Sequence, residues 1–125
     1  RSKDIEPILF MTWPYKNKPE MQNQLEEEFF KVAKINKLRM IPAGRAFLNI
    51  NQNYPDINLY TEDLRHPSKE GTYLAALMIF TTLSNKSPVG NKYTMGLKIE
   101  VARTLQEVAW KTHKDFQNMS QGSGL

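Results

Sequence analysis

The 125-residue sequence contains no cysteine, which excludes disulfide bonds, thiolate metal sites and a cysteine nucleophile from this chain. It has no apolar run near the ~20 residues that a membrane-spanning helix needs. Its basic start is not a signal peptide, because only a short apolar stretch, Ile8 to Trp13, follows. An initiator methionine is missing as well. We therefore expect a longer product, such as an exported bacterial protein, whose signal lies outside this sequence.

Runs of one charge are also missing. The 17 Lys and Arg residues are scattered among 13 acids, and no basic run of five occurs, although the net charge is +4. This pattern is typical of a solvated surface rather than of a nucleic-acid-binding stripe. With 40% hydrophobic and 24% charged residues, the composition fits one globular domain that spans residues 1–125 and has a modest core.

The first third of the chain shows the pattern of a βαβ unit. The apolar run Ile8 to Trp13 predicts a buried strand, and the stretch from Pro19 to about residue 36 predicts an amphipathic helix of about 18 residues. A second strand is predicted over residues 38–44. Such a unit implies a parallel sheet, whose ligands collect outside the carboxyl ends of the strands. Thr12 and Trp13 would lie at one such end, and residues 43–45 at the other.

Residues 49–62 are rich in Asn and Asp and predict a loop with at most a short helical turn. Gly71 to Leu83 is apolar nearly all round, which predicts a helix buried against the sheet. Apolar residues recur from Leu97 to Phe116 at the spacing of a last amphipathic helix. Residues 118–125 are expected to form a disordered tail.

The stretch DLRHPS, residues 63–68, contains the residues best suited to acid–base catalysis, Asp63 and His66. The carboxylate of Asp63 can reach the ring of His66, fix its tautomer and leave the far nitrogen free to accept a proton. Pro67 restricts His66 to extended backbone angles, and Ser68 is a natural N-cap for the next helix. Each detail favours a general base held in fixed geometry, although the D-x-x-H spacing alone is a weak motif.

The longer string DLRHPSKEGTYLAALMIFTTLSNKSPVG resembles the last sequence block of the SGNH (GDSL-like) serine hydrolases, in which the Asp and His of the catalytic triad stand as D-x-x-H. LFMTWPY, MIPAGRAF and TLQEVAWKT are similar to neighbouring segments of that family. The resemblance covers roughly residues 5–115. It implies the C-terminal part of a flavodoxin-like three-layer α/β/α fold with a parallel sheet, with Asp63 and His66 as catalytic residues.

The nucleophile of that family is absent, because no serine of this chain stands in a Gly-Asp-Ser context. The resemblance therefore implies an acyl or acetyl esterase in which this chain supplies only the Asp–His half of the triad. A small ester or acylated carbohydrate would be the substrate, and no cofactor would be needed. The nucleophile-bearing N-terminal half of the domain would be the partner, and the chain alone would be inactive.

Four further residues are candidates for substrate binding: Trp13, Arg45, Tyr60 and Leu64. For Trp13 the alternative is a place in the core, and for Arg45 it is a position on the solvated surface; both alternatives stay open at this point. His113, which stands between Lys111 and Lys114 in the last helix, is expected to be exposed.

Two other functions compete with the hydrolase. A metal site could use Asp63, His66 and Glu62, but the sequence offers no His-rich cluster that would add further ligands. A non-catalytic SGNH-like module, which binds carbohydrate or a partner after loss of the nucleophile, is compatible with everything in this chain.

Overall fold

The structure is a computed structural model that describes the backbone of residues 4–123 and the side chains of residues 4–119. Two short strands and four helices follow one another along these residues: β1 (Ile8–Phe10), α1 (Met21–Asn36), β2 (Arg39–Ile41), α2 (Ala43–Asn53), α3 (Lys69–Ser84) and α4 (Ile99–Ser123). None of these helices is long and apolar enough to cross a lipid bilayer.

The βαβ unit predicted from the sequence is present. β1 and β2 pair in parallel, with Ile8 opposite Arg39 and Phe10 opposite Ile41, and α1 connects them. Both strands are shorter than predicted. After Phe10 only the amide of Met11 continues the ladder, donating to the carbonyl of Ile41 at 2.9 Å.

The predicted fold class, a flavodoxin-like three-layer α/β/α sandwich, is wrong for these residues. More than half of the chain is helical, and the only sheet in the described part has two strands of three residues each. A sheet of this width cannot separate two layers of helices. The apolar runs that suggested longer strands are instead absorbed into loops and into α2.

α2 is the element that the sequence reading missed. Residues 43–45 were expected to end the second strand, and residues 49–62 to form a loop, whereas Ala43–Asn53 is one helix. Pro42 directly precedes the helix. The apolar face of α2 is formed by Ala46, Phe47 and Ile50, which are buried. Asn49, Asn51 and Asn53, which are poor helix formers, lie within the second half of this helix and concealed the helical period.

The core lies mainly among α2, α3 and α4. α3 packs chiefly on α4 and next on α2, while β2 also touches α3. Fully buried side chains from each helix meet here, among them Phe47, Ile50, Leu74, Met78 and Leu105. The short sheet and α1 flank this helical core.

α3 is less buried than its composition predicts. One face packs into the core, but the side chains of Ile79, Phe80 and Leu83 are exposed. The expectation of a helix buried nearly all round is therefore wrong for its second half.

Two glycines permit close approach of the backbone. A Cβ on Gly44 would lie 2.1 Å from the carbonyl oxygen of Thr12, and one on Gly71 would lie 2.2 Å from that of Leu59. Gly44 thus lets α2 start directly against the end of β1. Gly71 lets the first turn of α3 pack on the segment that enters the Asp63–His66 loop.

α4 extends to Ser123 and so includes most of the expected disordered tail, residues 118–125. Residues 124 and 125 lie outside the described residues, as do the side chains from Ser120 onward.

Candidate functional site

The Asp63–His66 pair lies in a short closed loop, residues 61–66, between the core residue Tyr60 and α3. The amide of Thr61 donates to the carbonyl of His66 at 2.9 Å, which closes the loop at its base. The amide of Leu64 donates to the carbonyl of Thr61 at 3.0 Å and forms a tight turn at its tip. Leu64 has φ 63°, a left-handed conformation that costs free energy for a residue with a branched side chain.

The carboxylate of Asp63 organises this loop. Its Oδ1 accepts hydrogen bonds from the hydroxyl of Thr61 at 2.8 Å and from the amides of Arg65 and His66 at 2.9 and 3.0 Å. Its Oδ2 accepts a hydrogen bond from the ring of His66. The bond from the His66 ring, followed by the backbone and Thr61 donors, holds the pKa of Asp63 well below its ordinary value. Asp63 is therefore a carboxylate at neutral pH.

The ring of His66 is clamped on one side and open on the other. Nδ1 donates to Asp63, which fixes the tautomer with the lone pair on Nε2. The side chain is 78% exposed, and no described residue forms a hydrogen bond with Nε2. The contact that the D-x-x-H spacing predicts is present, and the far nitrogen is accessible. The catalytic role of the two residues stays a prediction.

The loop is mounted on the start of α3. Ser68 caps this helix by accepting the amide of Gly71 at 3.2 Å, while its hydroxyl donates to the carbonyl of Asn58 at 2.8 Å. Tyr60 and Pro67 form an isolated antiparallel bridge across the loop base. The capping role predicted for Ser68 is confirmed, and it also makes this serine a poor nucleophile.

Trp13 connects the carboxyl end of β1 to this loop. Its indole Nε1 donates to the carbonyl of Arg65 at 3.1 Å. The ring stacks on Phe47 at 4.2 Å between centroids and meets Phe10 edge-on at 6.0 Å. The half-buried Trp13 thus contacts the loop, although the strand ends before it, at Phe10. Its role in substrate binding stays a prediction.

Tyr60 and Leu64 adjoin the pair, but their polar groups are occupied. Tyr60 is 2% exposed; its hydroxyl donates to the carbonyl of Pro14 at 2.9 Å and accepts from the amide of Asn51 at 3.2 Å. Burial raises its pKa. The carbonyl of Leu64 accepts the amide of Lys16 at 2.9 Å. In this arrangement Tyr60 supports the loop rather than faces a ligand.

Arg45 does not join the pair. Its guanidinium forms an ion pair with Glu26 of α1 and lies 5.6 Å from the ring of Phe30 and 5.5 Å from that of Phe116. Phe47, two residues further along α2, points toward Trp13 and Tyr60. Positions two apart on a helix differ by ~200° in direction, so Arg45 lies on the opposite face of α2 from the loop.

Sequence reasoning missed two contributors to the site. Thr61 binds the same carboxylate oxygen as the two backbone amides, a role that an Asx-type turn with a hydroxyl two residues before the Asp could have suggested. The guanidinium of Arg65 lies 4.6 Å from the centre of the Tyr15 ring. This contact joins distant parts of the chain, and no local pattern predicts it.

No nucleophile accompanies the pair in the described part of the chain. The hydroxyl of Ser84 donates to the carbonyl of Phe80, and that of Ser87 accepts the amide of Val89. Ser2 and the side chains of Ser120 and Ser123 lie outside the described residues. Among the residues described, no group of three His, Asp or Glu side chains could hold a metal ion.

His113, expected to be exposed, is buried with 4% exposure. Its Nε2 pairs with Oδ1 of Asn85 at 2.8 Å, and its ring stacks on Trp110 at 5.5 Å. Burial lowers its pKa. The expectation failed because the two flanking lysines point outward while the intervening position faces α3.

Comparison with protein-family models, with curated proteins and with solved structures finds no match to this chain. The resemblance to SGNH hydrolases therefore rests on the residues quoted from the sequence, and the chemistry of the site has to be argued from its geometry.

Proposed function

We propose that the chain supplies the acid–base half of a serine-type ester hydrolase, with His66 as general base and Asp63 as the residue that orients it. The observation that carries this proposal is the clamp itself. The carboxylate accepts Nδ1–H, so Nε2 is left with a free lone pair at the surface. This is the arrangement that a general base needs in order to take a proton from a hydroxyl.

In the proposed reaction, a serine hydroxyl attacks the carbonyl carbon of an ester while Nε2 of His66 takes its proton. The imidazolium then gives that proton to the departing alcohol, and an acyl-enzyme forms. A water molecule then gives a proton to the same nitrogen and attacks the acyl carbonyl. The imidazolium returns that proton to the departing serine oxygen, which releases the acid and restores the serine hydroxyl. The ionised Asp63 stabilises the positive charge on the ring in both halves of the reaction.

The nucleophile must come from a polypeptide segment outside this sequence. Ser68, the serine nearest to His66 in sequence, already uses its hydroxyl to cap α3 and to bind Asn58. The segment that brings the serine must also cover the pair, because the ring of His66 is largely exposed to water in this chain. Small esters, including acylated carbohydrates, are the substrate class that we propose.

The test uses the longest polypeptide that the gene encodes, together with the 125-residue chain. We expect the longer protein to hydrolyse acetyl or longer acyl esters and to be labelled on a serine by a fluorophosphonate. The chain alone should show almost no hydrolysis. Replacement His66→Ala in the longer protein should lower kcat by a factor on the order of 10²–10⁴.

The matched control is His113→Ala, which removes the other histidine of the chain. The proposal fails if the longer protein is neither labelled nor active on any ester of the panel, or if His66→Ala leaves kcat unchanged. A longer protein that is neither labelled nor active would instead favour the non-catalytic alternative, in which the nucleophile has been lost.

A further inference from the structure

A cavity lies between α1, α2 and α4, and no residue of the 61–66 loop lines it. Its volume is about 320 Å³, at the lower end of the range for small-molecule sites. The residues that matter for its chemistry are Arg45, Leu48, Asn49, Asn53, Thr112 and Asp115. The cavity is therefore separate from the candidate catalytic pair and is of a size that suits one small molecule.

The charges around this cavity are compensated. Arg45 Nη2 lies 2.5 Å from Glu26 Oε1, and Lys111 Nζ lies 2.7 Å from Asp115 Oδ2. Glu26, Arg45 and Asp115 all line the cavity. An anionic ligand would therefore face the two carboxylates, and a cationic ligand would face the guanidinium. A neutral ligand avoids the repulsion that either kind of charged ligand would meet.

Several hydrogen-bonding groups of the lining are left over. Thr112 is only 5% exposed, and its buried hydroxyl has no hydrogen-bond partner among the described residues. Asn53 Nδ2 donates to Asn49 Oδ1 at 2.9 Å, which leaves the amide NH₂ of Asn49 and the amide oxygen of Asn53 for another partner. A buried hydroxyl without a partner costs free energy, on the order of 1–3 kcal/mol, unless a ligand or water satisfies it.

These groups offer donors and acceptors side by side, with the apolar side chain of Leu48 beside them. A ligand hydroxyl can donate one hydrogen bond and accept up to two, so neighbouring hydroxyl groups match such a lining better than a purely accepting or purely donating ligand. We propose that this cavity binds a neutral polyhydroxylated molecule of the size of one monosaccharide. The proposal does not depend on the catalytic role of His66.

Binding is tested on the 125-residue chain by ¹H–¹⁵N NMR titration with the methyl glycosides of glucose, galactose, mannose and N-acetylglucosamine. Glucuronate and glucosamine serve as charged counterparts. We expect at least one neutral glycoside to shift the Asn49 and Asn53 side-chain amides to saturation. The charged sugars should bind at least tenfold more weakly.

The variant Thr112→Val replaces the hydroxyl by a methyl group of similar size, and we expect it to weaken the neutral glycoside at least tenfold. Thr104→Val, two turns earlier on α4, is the matched control and should leave binding unchanged. The proposal is overturned if no neutral sugar saturates, which would leave water alone in the cavity. Binding that is equal in Thr112→Val and the parent chain, or tighter for a charged sugar, overturns it as well.

Discussion

The two histidines of this chain occupy opposite environments. His66 has a carboxylate partner and a largely exposed ring, whereas His113 has an amide partner, Asn85, and a buried ring. A carboxylate can stabilise a protonated ring, and an amide oxygen does so only weakly. Burial further disfavours the charged form of His113. The difference separates an exposed ring, for which we propose a role in proton transfer, from a buried ring that joins α4 to the end of α3.

The comparison also shows how differently the two sites are built. The Asp63–His66 pair is built from contacts within six residues, whereas His113 on α4 meets Asn85 at the C-terminal end of α3, 28 residues away. Asn85 has φ 55°, the left-handed conformation that asparagine tolerates well at a helix end. We infer that His113 belongs to the α3–α4 packing and has no part in the proposed chemistry.

The largest effect is expected for Asp63→Asn in the longer protein that the proposed function requires. The amide cannot accept from Nδ1 and bind the backbone amides as the carboxylate does, so His66 loses its fixed tautomer. We expect kcat to fall by a factor on the order of 10²–10⁴. Steady-state kinetics on the best ester checks this. Unchanged kcat in Asp63→Asn would show that the clamp has no catalytic role.

The next effect concerns stability. His113→Ala removes a buried ring and its bond to Asn85, and should lower the free energy of unfolding by about 1–3 kcal/mol. His66→Ala removes an exposed side chain and should change it by less than about 0.5 kcal/mol. Urea denaturation of the 125-residue chain measures both. If His66→Ala proved as destabilising as His113→Ala, the Asp63–His66 contact would serve to stabilise the fold rather than to hold an accessible ring for catalysis.

Chemical modification separates the two rings directly. Diethyl pyrocarbonate attacks an accessible imidazole nitrogen, and of the two histidines only His66 has an exposed ring. We expect His66 to react at least tenfold faster than His113, and both to react alike in urea. Peptide mass mapping over time gives the two rates. Equal rates in the native chain would contradict the burial of His113.

The smallest effect is the pH dependence of stability. Burial lowers the pKa of His113 in the folded chain below its ordinary value of 6.5. Just below pH 6.5, His113 is therefore protonated more readily in the unfolded chain than in the folded chain. The stability of the chain should therefore fall as the pH drops below about 6.5, and this loss should disappear in His113→Ala. Asp63 also has a lowered pKa, but its contribution is lost only below its ordinary 3.8. Urea denaturation at several pH values distinguishes the two windows, and a flat profile between pH 7 and 5 would contradict the first.

Local features of this molecule were predictable from the sequence, and features that depend on distant contacts were not. The Asp63–His66 contact, the Ser68 cap and the parallel β1–α1–β2 unit follow from spacing and from residues within one element. α2 was missed because its apolar period is carried by three positions among asparagines. The wrong fold class came from the resemblance to SGNH hydrolases, which implies a wide parallel sheet, whereas the described residues form a sheet of only two strands.

The positions of Arg45 and His113, which the sequence did not predict, also result from contacts between residues that are distant in sequence. Both face elements that are far away in sequence, α1 for Arg45 and the end of α3 for His113. Their neighbours in sequence carry no information about those partners. Arg45 was predicted to bind substrate because it follows the second strand. That position did not reveal the ion pair with Glu26, which holds Arg45 on the other face of α2.

The hydrogen bonds that orient His66 are all local to the loop at residues 61–66, and this has a practical consequence. Each hydrogen bond to the Asp63 carboxylate starts within the loop, and its two ends are tied together by the bond from the Thr61 amide to the His66 carbonyl. Such a hexapeptide, followed by a capped helix, holds the Asp–His contact by local bonds, and an unrelated scaffold that received it would have to replace the contacts that Trp13 and Lys16 make with the loop. A designed protein that received it would inherit an oriented imidazole without needing a buried acid.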